Sequence, residues 1–139
     1  MKGEKSLFTR IIEGEIPSFK IYENEHVYSF LDINPASYGH TLVVPKEPAS
    51  SLHELSPESA SELGMALAKI SKSILEVTGV DSYNVIQNNG SEAGQTVFHV
   101  HFHIIPKYPH SAHQLTWDSV KLDSEDASEL ARKISMGIV

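Results

Sequence analysis

Residues 97–106 constrain the fold more than any other part of the chain, because histidine and large apolar residues alternate along them. The odd positions hold His99, His101 and His103, and the even positions hold Phe98, Val100, Phe102 and Ile104. A β-strand directs alternate side chains to opposite faces, with about 6.6 Å between neighbours on the same face, whereas a helix would scatter them. The pattern therefore predicts a strand whose apolar face enters the core and whose other face carries three imidazole rings.

Local signals predict the other helices and strands. Short β-prone runs lie at residues 20–23, 26–31, 41–44 and 82–87. A short opening helix is expected after an N-cap at Ser6, and a long helix is expected between Ser56 and Gly79. Asp123 or Ser124 is expected to cap a C-terminal helix. Strands joined by short turns, with the helices grouped apart from them, predict an α+β domain built on an antiparallel sheet.

Composition restricts the class of protein further. A length of 139 residues suits one domain, expected to span residues 1–139. The absence of cysteine excludes disulfide frameworks, iron–sulfur clusters and cysteine nucleophiles. The net charge of −7 argues against general binding to nucleic acid or to anionic membranes. No apolar run approaches the ~18 residues of a membrane span, and the first residues lead into no signal-peptide core, so a cytoplasmic protein is expected.

Three histidines on one strand face allow three interpretations. They can form an ordinary polar strand surface, although three histidines in register beside a glycine-containing loop make this unusual. They can transfer protons or attack an electrophile, because an ordinary pKa of about 6.5 keeps a neutral imidazole nitrogen available near pH 7. They can also bind a metal ion, because histidine is a common metal ligand. Glu92 is the nearby carboxylate, so a further ligand would come from a distant residue such as His40 or His53.

The order His-x-His-x-His, followed by Ile104 and Ile105, resembles the motif that defines the histidine triad (HIT) superfamily. Upstream segments are similar, in the same order, to those of its Hint branch, at residues 11–17, 30–35, 39–46 and 88–96. The resemblance implies a HIT-like fold, with a five-stranded antiparallel sheet, one long helix, a short N-terminal helix and a C-terminal helix. It also implies hydrolysis of nucleoside 5′-phosphoramidates or related adenylates, without a cofactor, by a homodimer whose subunits join into one continuous sheet.

Two alternative functions stay open within this resemblance. One is hydrolysis of dinucleoside polyphosphates, and the other is purine-nucleotide binding without turnover by an interaction module. A role in DNA repair is disfavoured by the net charge of −7. The implied ligand is an AMP-like purine nucleotide with loose base preference, because an apolar slot without specified hydrogen bonds discriminates weakly.

The resemblance implies a role for each of four histidines. His101 matches the nucleophile that attacks the α-phosphorus and becomes transiently nucleotidylated. His103 matches the residue that contacts the leaving atom. His99 and His40 match residues that order the nucleophile and its surroundings. Imidazole attack needs no metal ion when the second ring nitrogen donates its proton to a backbone carbonyl, so a metal-independent hydrolase is expected.

The resemblance also implies contacts to the nucleotide. Asp32 matches the carboxylate that accepts both ribose hydroxyls, and Asn88 matches a position near the sugar and phosphate. The positions that contact the phosphate are matched by Gly94, Gln95 and Thr96. An apolar slot around the base is implied at Phe8, Ile11, Ile16, Phe30, Leu31 and Ile33. No catalytic position matches the remaining histidines expected at the surface, which are His26, His110 and His113.

The chain departs from many bacterial-type relatives at the start of the first helix. Those relatives carry Cys-x-x-Cys there and bind structural zinc with two further histidines, whereas Ser6 and Thr9 occupy the same places here. His53 and His99 would be the remaining ligands, and two histidines without thiolates form a weak zinc site. The sequence therefore predicts no structural zinc.

Overall fold

The computed structural model describes residues 4–111 and 115–138, and its centre is a five-stranded antiparallel sheet. The strands are β1 (Lys20–Glu23), β2 (Val27–Leu31), β3 (Thr41–Pro45), β4 (Ser82–Gln87) and β5 (Phe102–Lys107), in the spatial order β1-β2-β3-β5-β4. The helices are α1 (Leu7–Ile12), α2 (Pro57–Thr78) and α3 (Ser124–Gly137). The predicted α+β fold class, with a short first helix, one long helix and a C-terminal helix, is confirmed.

The three helices begin at predicted N-capping residues, and α2 ends at the predicted glycine. Ser6 and Ser56 precede α1 and α2, and each side-chain oxygen accepts the N–H three residues later, at 3.0 and 3.2 Å. Gly79 ends α2 with a φ of 77°, a left-handed conformation that glycine adopts without a steric penalty. Asp123 caps α3. These ends depend on local hydrogen bonds, which explains why sequence signals locate them.

The strands follow the predicted runs closely. β1 and β4 have the predicted bounds. β2 begins at Val27 rather than His26, because Asn24 Oδ1 accepts the N–H groups of both residues at 2.8 Å and closes the hairpin turn. β3 continues one residue further than predicted, to Pro45.

The two faces of the sheet pack against different helices. On one face, Val43 of β3 and Ile104 of β5 pack in a buried cluster with Leu63 and other residues of α2. On the other face, Leu42 packs in a second buried cluster with Phe8 and other residues of α1. Because Leu42 is the register partner of His103, the face covered by α1 also carries this histidine.

The predicted histidine strand is wrong in its first half. β5 begins only at Phe102, and the backbone N–H of Val100 donates to the carbonyl of Ala49 at 2.8 Å, outside the sheet. The alternation of sides is lost as well: His99 and Val100 are both fully buried, and the Phe98 side chain is 52% exposed. Long-range hydrogen bonds of this segment replace strand pairing, and a pattern of period two does not reveal them.

The C-terminal segment contributes little to the packed core. Within residues 115–138 no side chain is buried, and Trp117 is 83% exposed. None of the described helices is long and apolar enough to span a membrane. Of the histidines expected at the surface, His110 is exposed, His26 is half-buried, and His113 lies outside the described residues.

Candidate active site

A cavity of about 400 Å³ lies between α1 and the face of the sheet that carries His103. Ten of the residues named from the sequence line it: Phe8, Ile11, Ile16, Phe30, Leu31, Asp32, Ile33, Thr96, His101 and His103. Sequence reasoning missed six others: Leu7, Pro17, Ser18, Asn34, Leu42 and Val97. A wider surface depression of about 630 Å³ is lined by residues of β1 and its turn and by Lys46, away from every histidine of the triad.

The tautomer of the neutral His101 ring, which lines this cavity, is set by a backbone hydrogen bond. Its Nδ1 lies 2.8 Å from the carbonyl oxygen of His99. A carbonyl oxygen only accepts hydrogen bonds, so Nδ1 carries the proton in the neutral ring and Nε2 keeps a lone pair. The ring of Phe8 contacts the imidazole edge-on, with 4.8 Å between ring centroids. The arrangement orients an unprotonated imidazole nitrogen, which is the form that attacks an electrophile.

His103 is hydrogen-bonded to His40, which directly precedes β3. His40 Nδ1 accepts the backbone N–H of Ala36 at 2.9 Å, so the neutral His40 ring carries its proton on Nε2. This Nε2 lies 2.9 Å from Nδ1 of His103 and 3.5 Å from Oδ2 of Asp32. His40 therefore donates to His103 Nδ1, and the neutral His103 ring carries its own proton on Nε2.

Burial keeps these rings neutral in the free protein. Desolvation, followed by the neighbouring rings of His101 and His40, lowers the pKa of His103 to about 4, and the Asp32 carboxylate opposes this shift. Desolvation also lowers the pKa of His40, again against the effect of Asp32. The hydrogen-bond chain from Ala36 to His103 is consequently present at neutral pH in a single tautomeric arrangement.

The loop before the histidines, residues 88–96, turns sharply beside the cavity. Gly94 has a φ of 93°, a conformation that favours glycine, and a Cβ there would lie 3.6 Å from Asn88 Nδ2. Gln95 is buried, and its side chain bonds to the backbone of Gly90 and Ser50 at 2.7 Å. Its side chain is thus directed into the protein, and the phosphate contact of Gln95 stays a prediction.

Thr96 is the residue of this loop that faces the cavity. It is exposed, and neither its hydroxyl nor its N–H is hydrogen-bonded within residues 4–111 and 115–138. Both donors are consequently available to an anionic ligand. Asn88 and Gly94 do not line the cavity, and they lie close together in the turn that precedes Thr96.

His99 lies behind the cavity and does not line it. Its Nδ1 is 2.7 Å from Ser6 Oγ and 3.4 Å from Thr9 Oγ1, and its Nε2 is 2.8 Å from the carbonyl oxygen of Pro45. Both ring nitrogens are therefore engaged with the protein, and His53 is exposed in a short turn of 3₁₀-helix. These residues do not fit the structural zinc site of cysteine-containing relatives.

A different group has metal-ligating geometry. One ligand atom from each of Asp32, His40 and His103 lies within 4.8 Å of the other two. Imidazole and carboxylate ligands suit zinc and similar divalent ions. A metal ion here would replace the proton between His40 Nε2 and His103 Nδ1, so the two interpretations of this group are mutually exclusive.

The fold and the site together define a small α+β protein whose site is built from histidines at the start of one central strand, beside an apolar cavity. A protein-family model described as the HIT domain matches residues 13–110. The chain belongs to the HIT family.

Relatives with assigned names include two enzymes. The chain is 44% identical over 134 residues to an adenosine 5′-monophosphoramidase of Schizosaccharomyces pombe, covering 95% of this chain and 97% of that protein. It is 41% identical over 128 residues to an adenylylsulfatase of Arabidopsis thaliana, covering 89% of this chain and 64% of that protein. A crystal structure of a HIT family member from Bacillus subtilis superimposes with a TM-score of 0.92 at 37% identity, covering 98% and 99% of the two chains.

Proposed function

We propose that this protein hydrolyses purine nucleoside 5′-phosphoramidates or related adenylates at the α-phosphorus through a covalent nucleotidyl-histidine intermediate. One observation carries the proposal: the Nδ1 proton of His101 is held by the His99 carbonyl at 2.8 Å, which leaves Nε2 as a free nucleophile at the cavity. The named activities of the two related enzymes support attack at an adenylyl phosphorus. Membership of the HIT family supports the more general assignment of the protein as a nucleotide hydrolase.

In the first step, the lone pair of His101 Nε2 forms a bond to phosphorus, and the bond from phosphorus to the leaving nitrogen breaks. The anionic phosphate favours the protonated form of the adjacent His103, which gives its proton to the leaving nitrogen. The products of this step are the free amine, neutral His103 and the nucleotidyl-histidine.

In the second step, a water molecule attacks the same phosphorus while His103 accepts one of its protons. The bond from phosphorus to His101 Nε2 breaks, and the electron pair returns to the imidazole. A nucleoside monophosphate is released, and once this anion has left, His103 gives up its extra proton and returns to the neutral form of the free protein.

The cavity lining supports recognition of a nucleotide. Asp32 Oδ1 accepts the N–H of Asn34 at 2.8 Å, which fixes the carboxylate at the rim, where it would accept the ribose hydroxyls. The free donors of Thr96 would stabilise the phosphoryl oxygens, because catalysis of phosphoryl transfer is largely positioning and electrostatics. The apolar slot around Phe8 and Phe30 would hold the base. Gln95 would act by holding the loop in place.

Two other reactions use the same site. A dinucleoside polyphosphate is a runner-up substrate, because its adenylyl phosphorus can be attacked in the same way. A metal-dependent reaction is favoured only by the grouping of Asp32, His40 and His103. A binding module without turnover is the remaining alternative.

We further propose that residues 1–139 form a single HIT domain that acts as a cytoplasmic homodimer. β4 is an edge strand of the described sheet and exposes Tyr83 and Val85, so a second copy can continue the sheet there. A dimeric mass in light scattering is the expected result, and a monomeric mass contradicts the dimer.

The proposal is tested with adenosine 5′-phosphoramidate, comparing the native protein with His101→Ala. The native protein should release AMP and ammonia, and His101→Ala should lose at least about a thousandfold in kcat while binding AMP as before. Mass spectrometry of the native protein, quenched during turnover, should detect one AMP adduct on His101. Turnover that survives in His101→Ala contradicts the mechanism, and nucleotide binding without turnover supports the binding module.

A further inference from the structure

The ring of His99 is held between two fixed partners in the interior. Its side chain is fully buried, with Ser6 Oγ at 2.7 Å from Nδ1 and the Pro45 carbonyl oxygen at 2.8 Å from Nε2. Both distances are those of good hydrogen bonds. The ring is consequently tied at one end to the start of α1 and at the other to the end of β3.

These partners select one tautomer of His99. The Pro45 carbonyl only accepts, so Nε2 carries the proton and Nδ1 accepts a hydrogen bond. Ser6 Oγ lies 2.7 Å from Nδ1 and Thr9 Oγ1 lies 3.4 Å from it, so the Ser6 hydroxyl is the better-placed donor. Burial lowers the pKa of His99, which keeps this ring neutral. Ser6 Oγ also lies 3.1 Å from Thr9 Oγ1. When Ser6 donates its one proton to His99, its lone pairs accept the Thr9 N–H at 3.0 Å and the proton of the Thr9 hydroxyl.

The backbone of the same residue positions the His101 ring. The carbonyl oxygen of His99 accepts the Nδ1 proton of His101 at 2.8 Å. His99 lies outside β5, so strand pairing does not fix this carbonyl. The anchors close to it include the hydrogen bond from the Val100 N–H to the Ala49 carbonyl, the bond from Ser50 Oγ to the Phe98 carbonyl and the two bonds of the His99 ring.

We propose that Ser6 is a positioning residue for the His101 nucleophile: its hydroxyl holds the His99 ring, and the His99 carbonyl thereby holds the Nδ1 proton of His101. The inference rests on the proposed function, because it concerns the nucleophile of that reaction. It gives Ser6, the N-cap of α1, a role that none of the implied family contacts includes.

Ser6 has two separable roles, which makes the proposal testable. As an N-cap it accepts a hydrogen bond, and as the partner of His99 it donates one. Aspartate is as good an N-cap as serine, but its carboxylate has no proton to donate. Ser6→Asp therefore keeps the cap and removes the donor, Ser6→Ala removes both, and Ser6→Thr keeps both.

The matched control is Ser56→Ala. Ser56 caps α2 as Ser6 caps α1, and within residues 4–111 and 115–138 its side chain has no hydrogen bond to a histidine. In hydrolysis of adenosine 5′-phosphoramidate, Ser6→Ala and Ser6→Asp should each lower kcat by about tenfold, the effect of one hydrogen bond lost. The dissociation constant for AMP should stay within about twofold, and Ser6→Thr should restore kcat. A kcat for Ser6→Asp equal to that of Ser56→Ala overturns the proposal.

A spectroscopic measurement on the native protein tests the same proposal without a variant. Nitrogen-15 NMR of labelled histidine should show His99 protonated on Nε2 and unprotonated on Nδ1. A proton on His99 Nδ1 overturns the proposal. The Nδ1 proton of His101 should exchange with solvent faster in Ser6→Ala and Ser6→Asp than in Ser56→Ala, and equal exchange rates also overturn it.

These measurements separate the two proposals. If the native protein has no phosphoramidate hydrolysis, the proposed function fails, but the tautomer of His99 and the exchange of the His101 proton still report whether Ser6 positions His101. If the native protein is active and Ser6→Asp keeps full activity, the proposed function stands and the role of Ser6 is wrong.

Discussion

His40 Nε2 lies 2.9 Å from His103 Nδ1, although 63 positions separate the two residues along the chain. The N–H of Ala36 bonds to the other nitrogen of His40, so the proton between the two rings belongs to His40. His103 is thereby oriented with its Nε2 proton free for a ligand. The pairing links the residue directly before β3 to the proposed proton donor on β5.

Replacing His103 with alanine should affect substrates according to their leaving groups. Turnover of adenosine 5′-phosphoramidate should fall by about 10² to 10⁴-fold, because the amine must be protonated as it leaves. Turnover of adenosine 5′-phosphosulfate should fall much less, because sulfate leaves as a stable anion. The control is His110→Ala at an exposed site, which should leave both rates unchanged. Equal losses on the two substrates contradict proton donation by His103.

Chelation should leave the rate of phosphoramidate hydrolysis unchanged. The hydrogen bond between His40 and His103 needs a proton where a shared metal ion would otherwise lie. Steady-state rates before and after dialysis against EDTA test this expectation. Loss of activity on dialysis, with recovery on adding zinc, would instead identify Asp32, His40 and His103 as metal ligands.

The free energy of unfolding should decrease as the pH is lowered from about 6.5 towards 4. Burial lowers the pKa of His103 to about 4 and also lowers the pKa values of His40 and His99, so the unfolded chain takes up protons first in this range. The stabilisation from the three neutral rings is complete above about pH 6.5. It decreases as the pH falls from there through the pKa values that these histidines have in the folded protein. Urea unfolding at pH 7, 6 and 5 measures this slope.

The variant His103→Asn tests how much of this pH dependence of the free energy of unfolding comes from His103. His103→Asn should flatten the dependence between pH 6.5 and 5, whereas His110→Asn should not change it, because His110 is exposed. An identical slope in His103→Asn and the native protein would show that His103 contributes no pH-dependent stability.

Gly94→Ala should destabilise the protein by about 1–2 kcal/mol, the cost of the left-handed conformation for a residue with a Cβ. The added Cβ meets Asn88 Nδ2 at an ordinary contact distance, so the penalty is conformational. Movement of the turn should also lower kcat/KM by displacing Thr96. The matched change Gly64→Ala lies in α2 with open space around it, and should stabilise by about 0.5–1 kcal/mol. Unchanged stability and kcat/KM in Gly94→Ala would contradict the requirement for glycine at this turn.

The parts of the fold that the sequence predicts correctly depend on neighbours along the chain. Helix ends at Ser6, Ser56 and Gly79 follow from capping bonds that reach three or four residues, and strand positions follow from short apolar runs. The motif at 99–103 also located the cavity, because His101 and His103 both line it.

Other features of the site required the tertiary structure. The sequence shows that Leu42 is apolar, but only its register with His103 reveals that it faces the cavity. Gln95 reads as a polar loop residue, and only its bonds to Gly90 and Ser50 show that its side chain is directed inward.

His99 shows most clearly which features the sequence determines and which depend on the tertiary structure. Residue order alone predicted an α+β protein with histidines on one strand, because alternation, capping and turn signals act over a few residues, and the resemblance of its histidine motif indicated the HIT family. The bonds of the His99 ring to Ser6 and Pro45 span 93 and 54 positions, and they remove His99 from the strand that its spacing predicts. Only the packing of α1 against the sheet brings these groups together, and that packing determines which histidines face the cavity and which support them.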